Sequence, residues 1–423
     1  MTIQRISVVG LGYIGLPTAA VFAGCGVKVL GIDVNPKVIE TVNKGEIHII
    51  EPDLDMVVRA AVTEGYLRAS LVPEEADAFL IAVPTPFVEE NDTNSHEPDL
   101  KYIKAACDTI APVLKPGNLV VLESTSPVGT TEQMAQWLAD ARPDLTFPQT
   151  HGEESQIRIA HCPERVLPGK VLRELVDNDR IVGGMTAKCS AAAVAIYKLF
   201  VEGDCIVTDA RTAEMCKLTE NSFRDVNIAF ANELSIICNK LDIDVWELIR
   251  LANLHPRVNI LQPGPGVGGH CIAVDPWFIV SSAPDEAKLI HQARLTNNAK
   301  PHFVLEKIRS RLNELAERDG VGEETKLTVA CYGVAFKADI DDLRESPSLG
   351  IVEALKNCFS GKIIVVEPNV QDLPGSLSGT QKADGIEIVA DLHVFLVGHR
   401  EFRDLVLPEE AVLDFCGVRR PQK

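Results

Sequence analysis

The stretch GPGVGGHCIAVDP, residues 264–276, places Cys271 behind four glycines, with His270 before it and Asp275 four residues on. Several chemistries compete for such a thiol. A glycine-rich loop can cradle phosphate, but this one lacks the Lys-Ser/Thr ending of a P-loop. A metal site needs more ligands than His270, Cys271 and Asp275, and the chain offers no second spaced set, so no metal is expected. A buried inert cysteine is the commonest fate of the residue type. Glycines on its N-terminal side point elsewhere: small residues there are expected to let a substrate approach the backbone and the sulfur. Nucleophilic work further requires that the thiol ionise, assisted by a cation or a helix N-terminus.

The candidate cation is Lys217 in EMCKLTEN. On a helix Lys217 and Asn221 are four apart and Arg224 lies three further along the same face. A stripe of that kind is usually a solvated surface. Met215, Leu218 and Phe223 predict a largely packed helix, which favours a functional stripe. CPERVLPG, residues 162–169, offers a second acid, Glu164, with a plain surface turn as the competing reading.

Positioning such groups needs a scaffold, and the chain start shows one. ISVVG, LGYIG, LPTAAVFAGCG and VKVLGID read as strand, tight turn, helix and strand. Gly10, Gly12 and Gly15, with Tyr13 and Ile14 between them, form a GxGxxG that suits a pyrophosphate at a helix N-terminus. Asp33 closes the second strand, where a carboxylate accepts hydrogen bonds from a ribose and repels a 2′-phosphate; no arginine adjoins it. NAD rather than NADP is the expected cofactor. VPTP (83–86) and ESTSPVGT (123–130) sit where loops leave a parallel sheet. Thr85 and Thr125 there are cofactor contacts or helix N-caps, with equal weight on each reading.

Further apolar runs, ADAFLIAVP, GNLVVLES, IRIAHCPE and DRIVGG, continue the same parallel, doubly wound unit. From about Thr212 one long helix is predicted, followed by shorter helices around DVWELIRLAN and after Pro284. A second α/β unit begins near Lys326 with KLTVACYGVAF, runs through a helix from Ser348 to the strand KIIVVEP, and has a last strand in LHVFLVG. The predicted fold is thus α/β: two Rossmann-like doubly wound parallel-sheet domains joined by a helical middle. The expected boundaries are residues 1–210, 211–305 and 306–423.

With 423 residues, more than one domain is expected. A net charge of −19 disfavours nucleic acid as a partner. Eleven cysteines without a CxxC read as thiols of a reducing cytoplasm. The uncharged run from Ile6 to Val27 could suggest a membrane segment, but its glycines and Pro17 are poor material for one.

Taken together, GLGYIGLP, VPTP, STSPVGT, CPERVLPG, EMCKLTENSFRDVNIAFANEL, HPRVNILQPGPGVGGHCIAVDPWFI and FKADIDDLRESP resemble, in order, the UDP-glucose/GDP-mannose dehydrogenase family over nearly the whole chain. EIHIIEPDL and GPGVGGHCIAVDPWFI are most similar to the branch acting on UDP-N-acetyl-D-mannosamine. UDP-glucose enzymes typically carry an aromatic before the Gly-Gly and FxKD after the cysteine, where Val267 and Ile272-Ala273-Val274 stand here. The resemblance implies oxidation of a sugar C6 alcohol to the acid with two NAD, through a thiohemiacetal and a thioester on Cys271.

It further implies that Lys217 handles the hydroxyl proton and, with Asn221, stabilises the oxyanion, while Asp275 and Glu164 serve thioester hydrolysis. Arg165, Val166, Arg224, His255, Arg257 and Gly268 match positions that hold the nucleotide sugar, with Arg257 reaching across a homodimer interface. Lys337 matches a UDP-sugar contact and Arg344 an NAD contact. The product would be an aminouronic acid for a bacterial surface polysaccharide.

The same chemistry on UDP-glucose, UDP-N-acetylglucosamine or GDP-mannose is the alternative. A two-electron hydroxyacid dehydrogenase and a non-catalytic NAD-binding scaffold are the more distant ones, and neither gives Cys271 a task. Two stretches depart from the family pattern: VEENDTNSH (88–96) is long and polar, and a helix is missing between IEIVA and LHVFLV.

Overall fold

A computed structural model describes residues 3–88, 96–167, 169–269, 271–318 and 326–419. His270 and most of the polar stretch after VPTP lie outside the described residues. The chain divides into two compact units, residues 1–220 with 277–282, and residues 221–276 with 283–423.

Among its described residues the first unit carries eight strands: β1 (Arg5–Val9), β2 (Lys28–Ile32), β3 (Leu67–Ser70), β4 (Ala78–Ile81), β5 (Leu119–Leu122), β6 (Arg158–His161), β7 (Arg180–Gly184) and β8 (Cys205–Asp209). Their order is β3-β2-β1-β4-β5-β6-β7-β8. The order reverses between β1 and β4, the place where open α/β sheets bind ligands beyond the strands' carboxyl ends. Both faces are covered. Helices Gly15–Gly24 and Ala187–Tyr197 pack Leu16, Ala19 and Ile196 against Ile6 and Val8, while helices Lys101–Ile110 and Thr130–Ala141 pack Ile103 and Met134 against Phe79 and Val120. Two-sided burial is why these strands read as unbroken apolar runs.

The sheet is not wholly parallel as predicted: β7 runs antiparallel to β6. Among the described residues their connection holds only the seven-residue helix Val171–Asp177, so β7 returns beside β6 without a crossover.

The second unit carries, among its described residues, β9 (Thr328–Tyr332), β10 (Lys362–Val366), β11 (Gln381–Lys382), β12 (Leu392–Phe395) and β13 (Val412–Asp414), all parallel, in the order β11-β10-β9-β12-β13. No helix separates β11 from β12, in keeping with the shortness of the sequence there.

The long helix spans Ala210–Leu241, as its periodicity predicts. The one after Pro284 is not short. It spans Lys288–Arg318, 31 residues with Pro301 inside. Proline removes one backbone hydrogen bond and disfavours a helix interior. Here Val304, Ile308 and Leu312 bury against Val329 and Leu355, and tertiary packing overrides the local signal. No helix among the described residues is long and apolar enough to cross a membrane.

One core residue makes stability depend on pH. His161 is fully buried in β6, neither ring nitrogen has a partner among the described residues, and burial holds its pKa down at about 3. The unfolded chain takes up this proton below about 6.5 and the folded chain does not, so stability falls as pH drops through that window, by about 1.4 kcal/mol per pH unit. His161→Leu is expected to remove about 2 kcal/mol of the loss between pH 6.5 and 5. Urea unfolding of both proteins at the two pH values checks this, and parallel losses would refute it.

Candidate active site

In the first unit the three glycines of the first turn have separate tasks. Gly10 has φ +92°, and a Cβ there would lie 2.6 Å from the Ala82 carbonyl oxygen. At Gly15 a Cβ would fall 1.7 Å from the Gly10 carbonyl. Both glycines serve protein packing. Gly12 has nothing within 4 Å, leaving its face open for a bulky anion to come against the backbone. Asp33 accepts the N–H of Leu11 (2.9 Å) and of Asn35 (2.9 Å), one on each oxygen, so it braces the turn while each oxygen keeps a lone pair outward. This geometry fits an adenosine dinucleotide. Tyr13 is exposed and Ile14 half-buried beside it.

Thr85 and Thr125 meet: the Thr85 hydroxyl donates to the Thr125 carbonyl at 2.5 Å. Neither caps a helix, since the helices that follow begin after Leu100 and Gly129. Glu214, a residue the sequence did not single out, organises this region. Its carboxylate accepts from Gly129 N–H (2.6 Å) and from both the N–H (2.7 Å) and hydroxyl (2.6 Å) of Thr131.

CPERVLPG is not a surface turn at its acid. Glu164 is 7% exposed, with Oε1 accepting its neighbour Arg165's N–H (2.7 Å) and Oε2 2.8 Å from Arg180 Nη1. The loop is tied down further along. Glu51 accepts from Gly169 N–H (2.8 Å) and Val171 N–H (2.7 Å), and Glu174 from Leu167 N–H (2.8 Å). Arg165 itself pairs with Glu220 at 2.6 Å, and Val166 is half-buried.

Behind Glu164 lies a buried group that sequence reading missed: Arg180, Glu123 and Tyr197. Tyr197 donates to Glu123 Oε1 at 2.7 Å. Burial pushes the Glu123 carboxyl up to about 7, against the pull of Arg180. It likewise pushes the Cys162 thiol up to about 12, which marks Cys162 as an unreactive neighbour. Partnered charges inside a core carry no periodicity, so no pattern announces them.

The long helix is packed less completely than predicted. Leu218 is buried, but Met215 is 39% and Phe223 70% exposed. Lys217 and Asn221 are half-buried, and Arg224 is exposed.

In the second unit, Asn221 donates to the Asp275 carboxylate at 2.5 Å, and Asp275 is 3% exposed. The Cys271 carbonyl accepts from the N–H groups of Val274 (3.1 Å) and Asp275 (2.9 Å), a turn that leads into helix Asp275–Ser282. Cys271 is an exposed residue with no disulfide. At the other end of the loop, Gly264 N–H donates to buried Asn232 (2.9 Å), which donates in turn to Asn297 (2.9 Å). Asparagines three helical turns apart therefore hold both ends of the cysteine loop.

The glycines before Cys271 correct the expectation of bare access for a substrate. A Cβ on Gly268 would lie 2.4 Å from the Glu345 carbonyl oxygen and 2.8 Å from Pro347, and one on Gly269 (φ +83°) 3.1 Å from the Phe336 ring. They are small because the segment FKADIDDLRESP packs against them. That same segment carries Lys337, exposed, and Arg344, whose guanidinium pairs with Asp342 at 2.6 Å. His255 and Arg257 are exposed in one turn, the His255 Nδ1 accepting the Arg257 N–H at 3.3 Å.

Comparison with known proteins identifies the family. Family models described as UDP-glucose/GDP-mannose dehydrogenase family match as NAD binding domain over residues 4–201, central domain over 211–299 and UDP binding domain over 330–421. The chain is 60% identical over 428 residues to a UDP-N-acetyl-D-mannosamine dehydrogenase of Yersinia pestis, covering 99% of this chain and 100% of the relative. It is 61% identical over 420 residues to an NDP-N-acetyl-D-galactosaminuronic acid dehydrogenase of Ralstonia nicotianae, covering 98% and 96%. A solved UDP-D-ManNAc dehydrogenase of Pyrococcus horikoshii superposes with TM-score 0.84 at 37% identity over 99% of this chain and 97% of the other.

Proposed function

We propose that this chain, which belongs to the UDP-glucose/GDP-mannose dehydrogenase family, oxidises the C6 alcohol of UDP-N-acetyl-D-mannosamine to the carboxylate in two successive hydride losses. It is an NAD-dependent oxidoreductase; NAD, held by Gly10, Gly12, Gly15 and Asp33, would supply the hydride acceptor for both losses. The observation that carries the reading is the cysteine loop: an exposed cysteine on a backbone held at both ends, four residues before an acid fixed by Asn221. A scaffold or a two-electron dehydrogenase has no use for that arrangement.

In this reading Lys217 takes the proton of the C6 hydroxyl as the alcohol becomes an aldehyde. An aldehyde holds its hydrogen until a nucleophile adds. Cys271 sulfur forms the C–S bond, and Lys217 with Asn221 stabilises the charge on oxygen. The second hydride loss leaves a thioester. Water then forms a C–O bond, the C–S bond breaks with its electrons returning to sulfur, and the water's proton leaves through the carboxylates Asp275 and Glu164. Lys337, Arg165, Val166, Arg224, His255, Arg257 and Gly268 hold the nucleotide sugar, and Arg344, Thr85 and Thr125 the cofactor. The family matches support cofactor-binding, central and UDP-binding roles for three successive stretches, and residues 1–210, 211–305 and 306–423 are the proposed domains.

Two NADH per sugar are the test. NADH formed per UDP-N-acetyl-D-mannosamine consumed is expected to be two, and a value of one would exclude the alcohol-to-acid scheme. The relative named for an N-acetylgalactosaminuronic acid is as similar as the mannosamine enzymes, so UDP-N-acetylgalactosamine is the second reading. Relative kcat/KM over a panel with UDP-glucose, UDP-N-acetylglucosamine and GDP-mannose decides the sugar.

A homodimer belongs to this proposal. Phe223, Asn227, Phe230, Leu234, Ile237 and Leu241 recur at alternating spacings of four and three along the long helix, with Phe223, Phe230, Ile237 and Leu241 43–70% exposed. That spacing supports the packing of a second copy of the helix on this face. Phe230→Glu is expected to halve the particle mass to that of one 46.0 kDa chain in light scattering; an unchanged mass would remove this face from the interface. A cytoplasmic setting, with the product serving surface polysaccharide synthesis, completes the reading; the eleven thiols without a disulfide support the reducing compartment.

A further inference from the structure

We infer that Arg180 is a positioning residue for the hydrolytic half of this reaction: it holds the Glu164 carboxylate in the one orientation that presents it to the attacking water. The inference rests on the proposed function and assigns Glu164 the orienting role, which leaves Asp275 as the acid fixed beside the cysteine loop.

Both partners are buried. Arg180 is 3% exposed on β7, with its guanidinium 5.0 Å from the Tyr197 ring centre and 5.6 Å from that of Phe200. Its Nη2 donates to the Leu175 carbonyl at 3.5 Å and its Nη1 meets Glu164 at 2.8 Å. Glu164 Oε1 accepts the Arg165 N–H, while Oε2 is buried against Arg180 as an ion pair with no hydrogen bond among the described residues, so the cation fixes one oxygen and Oε1 is the one with a lone pair left for water. Stability does not explain the pair. Buried ion pairs are commonly matched or bettered by apolar packing. This one stands just past the carboxyl ends of β5 and β6, where doubly wound sheets place their ligands.

A second carboxylate makes the arrangement specific. Glu123, 2% exposed, follows β5 and faces the same cation. One guanidinium cannot serve two buried carboxylates equally. Tyr197 from the helix donates to Glu123, Arg180 stands on β7, and Cys162 and Glu164 on the loop after β6 complete its charged and titratable surroundings. With Glu123 protonated up to about pH 7, Arg180 is left to Glu164. Above that, an ionised Glu123 draws on the same cation.

The full-length enzyme is mixed rapidly with NAD and UDP-N-acetyl-D-mannosamine, and acid-quenched samples are weighed for acyl-Cys271. Arg180→Lys is expected to keep the initial NADH burst and KM but slow the steady state roughly tenfold or more, with the acylated peptide accumulating. Adding Arg180→Lys to Glu164→Gln is expected to slow hydrolysis no further, because Arg180 acts through Glu164. Burst and steady state falling together without adduct, or additive losses, would overturn the proposal. If Arg180→Lys does not fold, Glu123→Gln decides: it retains an acceptor for Tyr197 and is expected to abolish an inflection near pH 7 in the wild-type hydrolysis rate. An inflection unchanged in the variant, or absent in both proteins, would equally overturn it. A wild-type enzyme that turns over and never yields acyl-Cys271 would sink the functional reading itself, and this inference with it.

Discussion

Cys271→Ser is expected to reduce acid formation by at least about 10³-fold while NAD binding is unchanged. The reasoning is chemical. A serine hydroxyl at neutral pH is almost wholly protonated and adds poorly to an aldehyde, whereas even a modest thiolate fraction adds readily. The first hydride loss needs no covalent bond, so the variant is expected to yield at most one NADH per sugar and to release or retain aldehyde. Trapping that aldehyde with a hydroxylamine reagent, beside a count of NADH, reads both outcomes. Full turnover at two NADH per sugar in Cys271→Ser would leave no place for the thioester.

Gly268→Ala is expected to lower kcat roughly 10²-fold, since displacements of about 1 Å at a reacting group have that effect. The added carbon would meet the Glu345 carbonyl at 2.4 Å, and backbone on both sides gives way only by moving the loop. Gly264→Ala is the control in the same loop. Its Cβ would have only the Gly266 carbonyl near, at 3.8 Å, and near-normal turnover is expected. Stopped-flow NADH traces of the two variants make the comparison. Equal activities would show that the glycines do not position the thiol by packing.

Local and long-range signals differ in what they reveal. The glycine turn, Asp33 and the apolar strands were legible because their signals are contiguous: a handful of neighbouring residues carries the whole physical reason. The long helix is legible from its period, yet Phe223 is exposed rather than packed, because a period shows that one face is apolar without showing what covers it. Pro301 misled in the opposite sense, its local cost being outweighed by Val304, Ile308 and Leu312 against the second sheet.

By itself the sequence determined which residue types are on hand, a thiol, a lysine, two acids and a dinucleotide turn, and the order in which strands and helices arise. The tertiary structure alone decided which groups meet. Glu164 finds Arg180, Asp275 finds Asn221, and Gly268 finds Glu345 across separations of 16, 54 and 77 residues. Hydrogen bonds, ion pairs and steric contacts act over a few ångströms of space, and local patterning along a chain carries no information about which distant segment will arrive there.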